Sequence, residues 1–179
     1  MGLVLYHASM SLDGFIAGPD DAMDWVFRYD VPKAVIDEIT GSVGAGLSGR
    51  NSYDVGHKPG QRPEAAEAYG GAWHGPMFVL TRHPPVDDDP HVRYISGDIR
   101  AAVATAREAA AGKNVVIFGA TVARQCLEAG LVDEVMVHVV PILLGSGVRL
   151  YESLRSVDLE TIDISQAGPI AMLRYRVVK

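Results

Sequence analysis

The 179-residue sequence predicts an α/β fold with a mostly parallel sheet and an antiparallel edge. Three observations support this prediction. Strand-like apolar runs alternate with helical patterns along most of the chain. The unit formed by residues 115–140 has the order strand, helix, strand, which predicts two parallel strands joined by a right-handed crossover. The last two strand-like segments follow each other directly, which indicates a hairpin.

The predicted strands are short apolar runs bounded by turn residues. The run at 3–8 is almost wholly apolar, as is typical of a buried strand. The run at 43–48 is rich in glycine and small residues, which indicates a close approach by another backbone or a ligand. In chain order, the predicted strands are 3–8, 43–48, 77–80, 92–95, 115–118, 135–140, 159–164 and 170–178.

The helices are predicted from apolar spacing and from residues that start or stop a helix. Pro32 suits the first turn of a helix, Asp98 is a typical N-cap, and Gly112 and Gly130 are typical stop residues. The predicted helices are 31–39, a short helix that begins at 49–53, 98–111 and 119–129.

Two segments are predicted to lack regular structure. Residues 57–76 hold four glycines and three prolines, which predicts a long mobile loop of the kind that often serves as a lid. Residues 87–90 predict a charged turn. We find no repeat and no sign of a second domain, so one domain is expected over 1–179.

Composition excludes several classes of protein. The net charge is −6 without a run of like charges, which argues against nucleic acid as a partner. No apolar stretch is long enough to span a bilayer, and the N-terminus lacks the pattern of a signal peptide, so we expect a cytoplasmic location. The single cysteine, Cys126, cannot form an intramolecular disulfide, and the histidines lack metal-ligand spacing, so no metal site is expected.

Three predicted strand ends lead into turns rich in glycine or hydroxyl residues, at 49–52, 81–82 and 119–122. In an open parallel sheet, ligands bind at the carboxyl ends of strands, where helix N-termini suit phosphate. Arg50 and Arg82 add charges suited to a phosphate monoester. Each turn alone is ordinary loop chemistry, but three in one domain favour a nucleotide. No Walker loop and no complete dinucleotide-binding glycine motif is present.

The order of these motifs resembles the dihydrofolate reductase-like proteins. Within them, the closest resemblance is to stand-alone relatives of the reductase domain of bacterial riboflavin biosynthesis. The matching segments span nearly the whole chain: 11–17, 24–25, 49–53, 79–81, 116–120 and 141–147. The resemblance implies a three-layer αβα fold and an NADPH-dependent reductase. It also implies self-association, because relatives are often homodimers. The apolar residues 135–144 suit either that role or a core strand.

The resemblance implies a cofactor role for twelve residues. Ile16 and Ala17 would lie along the nicotinamide, and the others would contact the phosphates, the 2′-phosphate and the adenine. These others are Gly49, Arg50, Asn51, Ser52, Thr81, Arg82, Gly119, Ala120, Thr121 and Val122. Thr81 and Arg82 would give the preference for NADPH over NADH. The family usually has Gly-Gly where this chain has Gly119 and Ala120.

A reductase needs a proton donor near its substrate, and Asp13, Asp24 and Asp30 are the candidates. Asp13 lies in the turn beside the nicotinamide segment. Asp30 lies five residues after Trp25, where dihydrofolate reductases place the acid that holds the pterin. Each has a structural alternative: Asp13 as a turn residue, and Asp24 and Asp30 as helix caps. Asp13 and Asp30 are the predicted catalytic residues.

The substrate is expected to be a small pterin- or pyrimidine-like heterocycle held by Asp24, Trp25 and Phe15. Phe15 replaces the lysine usual in the riboflavin-pathway motif, so a phosphorylated sugar substrate would lose a nearby cation. Trp25 has core packing as its alternative. A second hypothesis is a non-catalytic nucleotide-binding or ligand-sensing protein that has kept the fold.

Overall fold

The computed structural model describes residues 2–58, 62–84 and 91–179. Its strands are β1 (Val4–Ser11), β2 (Phe15–Ala17), β3 (Val43–Gly49), β4 (Met77–Leu80), β5 (Val92–Ile95), β6 (Asn114–Phe118), β7 (Glu134–Val140), β8 (Val148–Arg149), β9 (Leu159–Ala167) and β10 (Ile170–Val177). Its helices are α1 (Lys33–Ser42), α2 (Arg50–Gly56), α3 (Ile99–Ala109) and α4 (Ala120–Glu128). Short 3-10 turns lie at Pro19–Asp21, Asp24–Arg28, Pro63–Ala66 and Ala68–Gly71.

Eight strands form one sheet in the order β5-β4-β3-β6-β1-β7-β10-β9. The strands from β5 to β7 are mutually parallel, and β10 is antiparallel to both β7 and β9. The mostly parallel sheet with an antiparallel hairpin at its end is therefore confirmed. The short strands β2 and β8 pair separately as an antiparallel ribbon.

The two faces of β1 have different environments, because successive side chains of a strand point to opposite faces. Val4 and Tyr6 belong to the main apolar core, which also contains residues of α3 and α4. Leu5 lies on the opposite face, where Tyr69 and Trp73 pack against a smaller apolar cluster. The strand at the centre of the sheet is thus buried between two layers.

Most predicted elements are present within a few residues of their predicted ends. Asp98 caps α3 by accepting a hydrogen bond from the backbone N–H of Ala101 at 2.9 Å, as predicted. Helix α1 begins at Lys33 rather than residue 31, because Pro32 serves as its N-cap.

Residues 57–76 differ from the irregular loop that we predicted. Their described part contains two 3-10 turns, and Tyr69 and Trp73 pack against the sheet. The charged turn predicted at 87–90 lies outside the described residues.

Candidate functional site

The turn between β1 and β2 is fixed by the carboxylate of Asp13. Its oxygens accept hydrogen bonds from the Ser11 hydroxyl at 2.6 Å and from the backbone N–H groups of Leu144 and Gly145, the latter at 2.7 Å. Ser11 Oγ in turn accepts a hydrogen bond from the backbone N–H of Phe15 at 3.0 Å. Asp13 therefore ties the start of β2 to the loop that follows β7.

These hydrogen bonds also determine the charge of Asp13. The bond from Ser11, supported by the backbone N–H groups, lowers the pKa of Asp13 to about 2. A carboxyl group with this pKa is ionised near neutral pH and has no proton to give. The contacts of Asp13 thus favour the turn interpretation over the catalytic one.

Two of the predicted phosphate-binding turns lie against each other. Gly119, the N-cap of α4, has a φ of 83°, and a side chain at this position would collide with the Ser52 hydroxyl. A Cβ on Gly49 would lie 3.1 Å from Val122 Cγ2. The residues at 49–52 and 119–122 are therefore adjacent, and glycine permits the close approach.

The turn predicted at 81–82 lies close to the turn at 49–52, and Arg50 connects the two. Its Nη1 donates to the backbone carbonyl of His83 at 3.1 Å, and its Nε donates to the carboxylate of Asp54 at 2.7 Å. This brings Arg50 next to the segment that contains Thr81 and Arg82. Thr81 Oγ1 accepts from the His83 N–H, while the Arg82 side chain is exposed.

A cavity of about 300 Å³ lies at the N-terminus of α4. A side chain on Gly147 would collide with the Ala17 carbonyl, so the β2 end and this loop are in contact. The Arg149 guanidinium lies 4.7 Å from the centroid of the Phe15 ring. The cavity is lined by Ala120, Thr121, Arg124, Gly147, Val148, Arg149 and Glu152.

Asp24 and Trp25, which were expected to contact the substrate, lie in the 3-10 turn Asp24–Arg28. Trp25 is 2% exposed, and its indole N–H donates to the Ala22 carbonyl at 3.0 Å. Asp24 forms an exposed ion pair with Arg28 at 3.4 Å. The Tyr29 hydroxyl donates to the Pro141 carbonyl at 3.4 Å, which sets this segment beside the end of β7.

Asp30 makes no hydrogen bond or ion pair with any residue in the described part of the chain, and its side chain is exposed. It is not the cap of α1, because Pro32 occupies that position. Met23, rather than Asp24, precedes the 3-10 turn as its N-cap. The structural alternative of helix capping is thus wrong for both acids.

Comparison with known proteins identifies the family. The family model described as the RibD C-terminal domain matches residues 3–172. The chain belongs to the RibD C-terminal domain family. Protein YwjB of Bacillus subtilis strain 168, whose function is uncharacterized, is 26% identical over 174 residues, which is 96% of this chain and 95% of YwjB.

Solved structures share the fold of this RibD C-terminal domain. A candidate riboflavin biosynthesis protein from Shewanella sp. PV-4 has a TM-score of 0.79 at 22% identity and covers 99% of both chains. The dihydrofolate reductase of Enterococcus faecalis, complexed with NADP(H), has a TM-score of 0.66 at 14% identity and covers 99% of this chain and 98% of its own. At these identities the likeness concerns the fold, and it confirms the dihydrofolate reductase-like class.

Several residues of this RibD C-terminal domain were not singled out from the sequence. Arg124 and Arg149 line the α4 cavity. Arg149 lies two residues after the Gly-Ser-Gly turn at 145–147, and this turn is the feature of the sequence that could have pointed to it. His7 and His138, on adjacent strands, are both buried. From the sequence, His138 is interpreted only as a structural residue, and His7 is considered only for metal-ligand spacing.

Neither a metal site nor a membrane span is seen where the structure can be described. Over residues 2–58, 62–84 and 91–179, no group of three or more His, Cys, Asp or Glu side chains is arranged to hold a metal. Over the same ranges, no helix has the length and apolar character needed to traverse a bilayer.

Proposed function

We propose that this chain is an NADPH-dependent reductase that acts on a small pterin- or pyrimidine-like heterocycle. The observation that carries this proposal is the convergence of three strand-end turns at one edge of the sheet. Gly49 lies against Val122, Ser52 against Gly119, and Arg50 against the segment that follows β4. Membership of the RibD C-terminal domain family supports a reductase.

The cavity at α4 fits the phosphates of a dinucleotide. The first N–H groups of a helix have no acceptor within the helix and carry a partial positive charge. Arg149 adds a cation and Glu152 an anion, while the Arg124 guanidinium is paired with Glu128 at 3.3 Å. The volume of about 300 Å³ lies at the lower end of the range for ligand pockets. Ala120 begins α4 without disturbing this arrangement, although the family usually has glycine there.

The preference for NADPH would come from Arg50 and Arg82. Asp54 neutralises part of the charge on Arg50, but the exposed Arg82 has no ion-pair partner among the described residues. Together with Thr81, these residues offer a 2′-phosphate one net positive charge and a hydroxyl. A planar guanidinium suits a phosphate monoester because it donates two parallel hydrogen bonds.

A bound nicotinamide would supply the hydride, and the chain would position it and provide a proton. Ile16 and Ala17 would line the nicotinamide, since β2 borders the cavity through the contact between Ala17 and Gly147. Asp30 is our candidate for the acid. The Asp13 carboxylate is already held in its turn by Ser11 and Gly145, and Asp24 is paired with Arg28. Phe15 and Trp25 would form the wall for the heterocycle.

The proposal is tested by calorimetric titration of the purified chain with NADPH and NADH. We expect NADPH to bind more tightly, and Arg82→Gln to weaken NADPH binding about tenfold without affecting NADH, as for loss of one charge-assisted hydrogen bond. Arg176→Gln, an exposed arginine on β10, is the matched control. Equal affinities for the two dinucleotides would remove the role given to Arg50 and Arg82.

Turnover separates the reductase from the alternative of a ligand sensor. We expect oxidation of NADPH at 340 nm when a dihydropterin or an aminopyrimidine is added. NADPH binding without oxidation by any member of these classes would favour the non-catalytic alternative. No dinucleotide binding at all would refute the proposal.

A further inference from the structure

One face of β1 carries an unusual series of polar side chains. His7, Ser9 and Ser11 alternate along the strand and therefore share a face. The opposite face, which starts with Val4 and Tyr6, is part of the apolar core. A central strand buried by packing alone would be apolar on both faces. The polar series therefore needs an explanation other than core packing.

His7 is joined on this face by His138 of β7. The register of the two strands sets Ser9 opposite His138. The two imidazole rings make an edge contact with centroids 4.6 Å apart. His7 Nδ1 is 3.0 Å from the hydroxyl of Tyr69, whereas Nε2 of His138 has no hydrogen-bond partner among the described residues.

The unpaired nitrogen of His138 is unfavourable for the protein alone. The residue is only 6% exposed, so bulk solvent has little access to it. Buried polar groups are nearly always hydrogen-bonded, so each exception needs an explanation, and a functional role is one such explanation.

The position of the histidine pair can be compared with that of the strand ends where the predicted phosphate-binding turns converge. His138 lies opposite Ser9, two residues or about 7 Å along the strand from Ser11. Ser11 is on the same face and holds the first residue of β2 through the bond from the Phe15 N–H. The histidine pair therefore lies on the face of the sheet opposite α3 and α4, about two residues along the strand from the serine that holds β2.

We propose that His7 and His138 form the floor of the substrate pocket and that His138 Nε2 hydrogen-bonds the polar edge of the substrate ring. This inference rests on the proposed reductase function. The Tyr69 hydroxyl makes the corresponding contact at His7. Tyr69 has a φ of 55° and is followed by two glycines with positive φ. Non-glycine residues in this conformation are strained and cluster at ligand sites.

The floor selects an uncharged, planar ring. Burial lowers the pKa of both imidazoles, that of His7 to about 3, so both are neutral near pH 7. The nearest arginine on the adjacent strand, Arg174, is paired with Glu134 at 2.7 Å. A phosphate or carboxylate would therefore meet two neutral imidazoles, and Arg174 is already occupied by Glu134. A lactam or amidine edge, which offers a donor and an acceptor side by side, matches two neutral imidazoles.

The test is calorimetric titration of pterin into the full-length chain saturated with NADP⁺, where no turnover occurs. We expect His138→Leu to weaken pterin binding about tenfold and to leave the NADP⁺ affinity unchanged. The same variant should melt no lower than the wild type, because it removes an unpaired buried atom. His74→Leu, on an exposed histidine, is the matched control. His138→Met replaces the leucine variant if that protein does not fold.

The outcomes distinguish this inference from the proposed function. If His138→Leu lowers the melting temperature and binds pterin like the wild type, His138 is structural and the inference is wrong. A wild-type chain that binds NADP⁺ but not pterin also overturns the inference. That result leaves the proposed binding of the dinucleotide intact. Failure to bind NADP⁺ refutes the proposed function itself and the inference with it.

Discussion

Acidification should destabilise the protein through His7, and the effect can be calculated. The pKa of His7 is lowered to about 3 by burial and, to a smaller extent, by the neighbouring His138. In the unfolded chain the ordinary value is about 6.5. Between these values the unfolded state binds a proton that the folded state does not bind. The stabilising contribution is therefore complete above pH 6.5 and is lost as the pH falls towards 3.

From pH 7.5 to pH 5.0, this difference removes about 2 kcal/mol of unfolding free energy. For a chain of this length, that loss lowers the melting temperature by roughly 4–8 °C. His7→Gln abolishes the titration and keeps a polar side chain opposite the Tyr69 hydroxyl. The variant should therefore show about 2 kcal/mol less acid destabilisation than the wild type.

The measurement is urea unfolding of both proteins at the two pH values. Comparing the change in each protein removes the contribution of other titrating groups, including the carboxylates whose pKa values are lowered. His74→Gln, at an exposed position, should behave like the wild type. If wild type and His7→Gln lose the same stability between pH 7.5 and 5.0, His7 is not a buried neutral imidazole.

Two further predictions concern the α4 cavity and the proton donor. Gly147→Ala should weaken NADPH binding at least about tenfold, because its φ is 138° and a Cβ would meet the Ala17 carbonyl. Titration calorimetry checks this, with Gly168→Ala as a control, since Gly168 also has positive φ but open space around it. An unchanged NADPH affinity in Gly147→Ala would contradict the proposal that the α4 cavity binds the phosphates of the dinucleotide. Asp30→Asn should lower the steady-state turnover rate much more than the NADPH affinity, because the exposed carboxyl is our proton donor. Unaffected turnover would mean that a bound water, rather than Asp30, supplies the proton.

The predictable parts of the fold are those with local causes. Asp98 caps α3 through a group three residues away, and the β9–β10 hairpin joins neighbours in the chain. The position of β1 between β6 and β7 has no such local signal, because its partners lie more than a hundred residues away. The two-residue strand β8 is too short for any periodic pattern, and it forms only by pairing with β2.

The site shows the same division between local and long-range causes. Glycine and hydroxyl residues at the strand ends were visible in the sequence as turns suited to phosphate. The contact of Gly119 with Ser52, and the closeness of Arg149 to Phe15, depend on how distant segments pack. The pairing of Asp13 with Leu144 and Gly145 joins residues more than 130 positions apart. The hydrogen bond from Ser11, two residues away, is the largest cause of the lowered pKa of Asp13, and this long-range pairing adds to it, so only part of the cause is local in the chain.

The apolar face that β1 and β7 share explains how the protein tolerates an unpaired buried histidine on β7, since Val135 and Val137 of β7 also belong to the main core. Val4 and Tyr6, on one face of β1, are at most 1% exposed and pack with α3 and α4. Fully burying one aliphatic side chain of this size contributes about 1.5–3 kcal/mol, comparable with the cost of one unsatisfied polar group. The apolar face can therefore hold the strand in place while the other face carries histidine and serine. On this argument, apolar substitutions at His138 should stabilise the chain and weaken substrate binding, whereas substitutions at Val4 should destabilise it without changing what it binds.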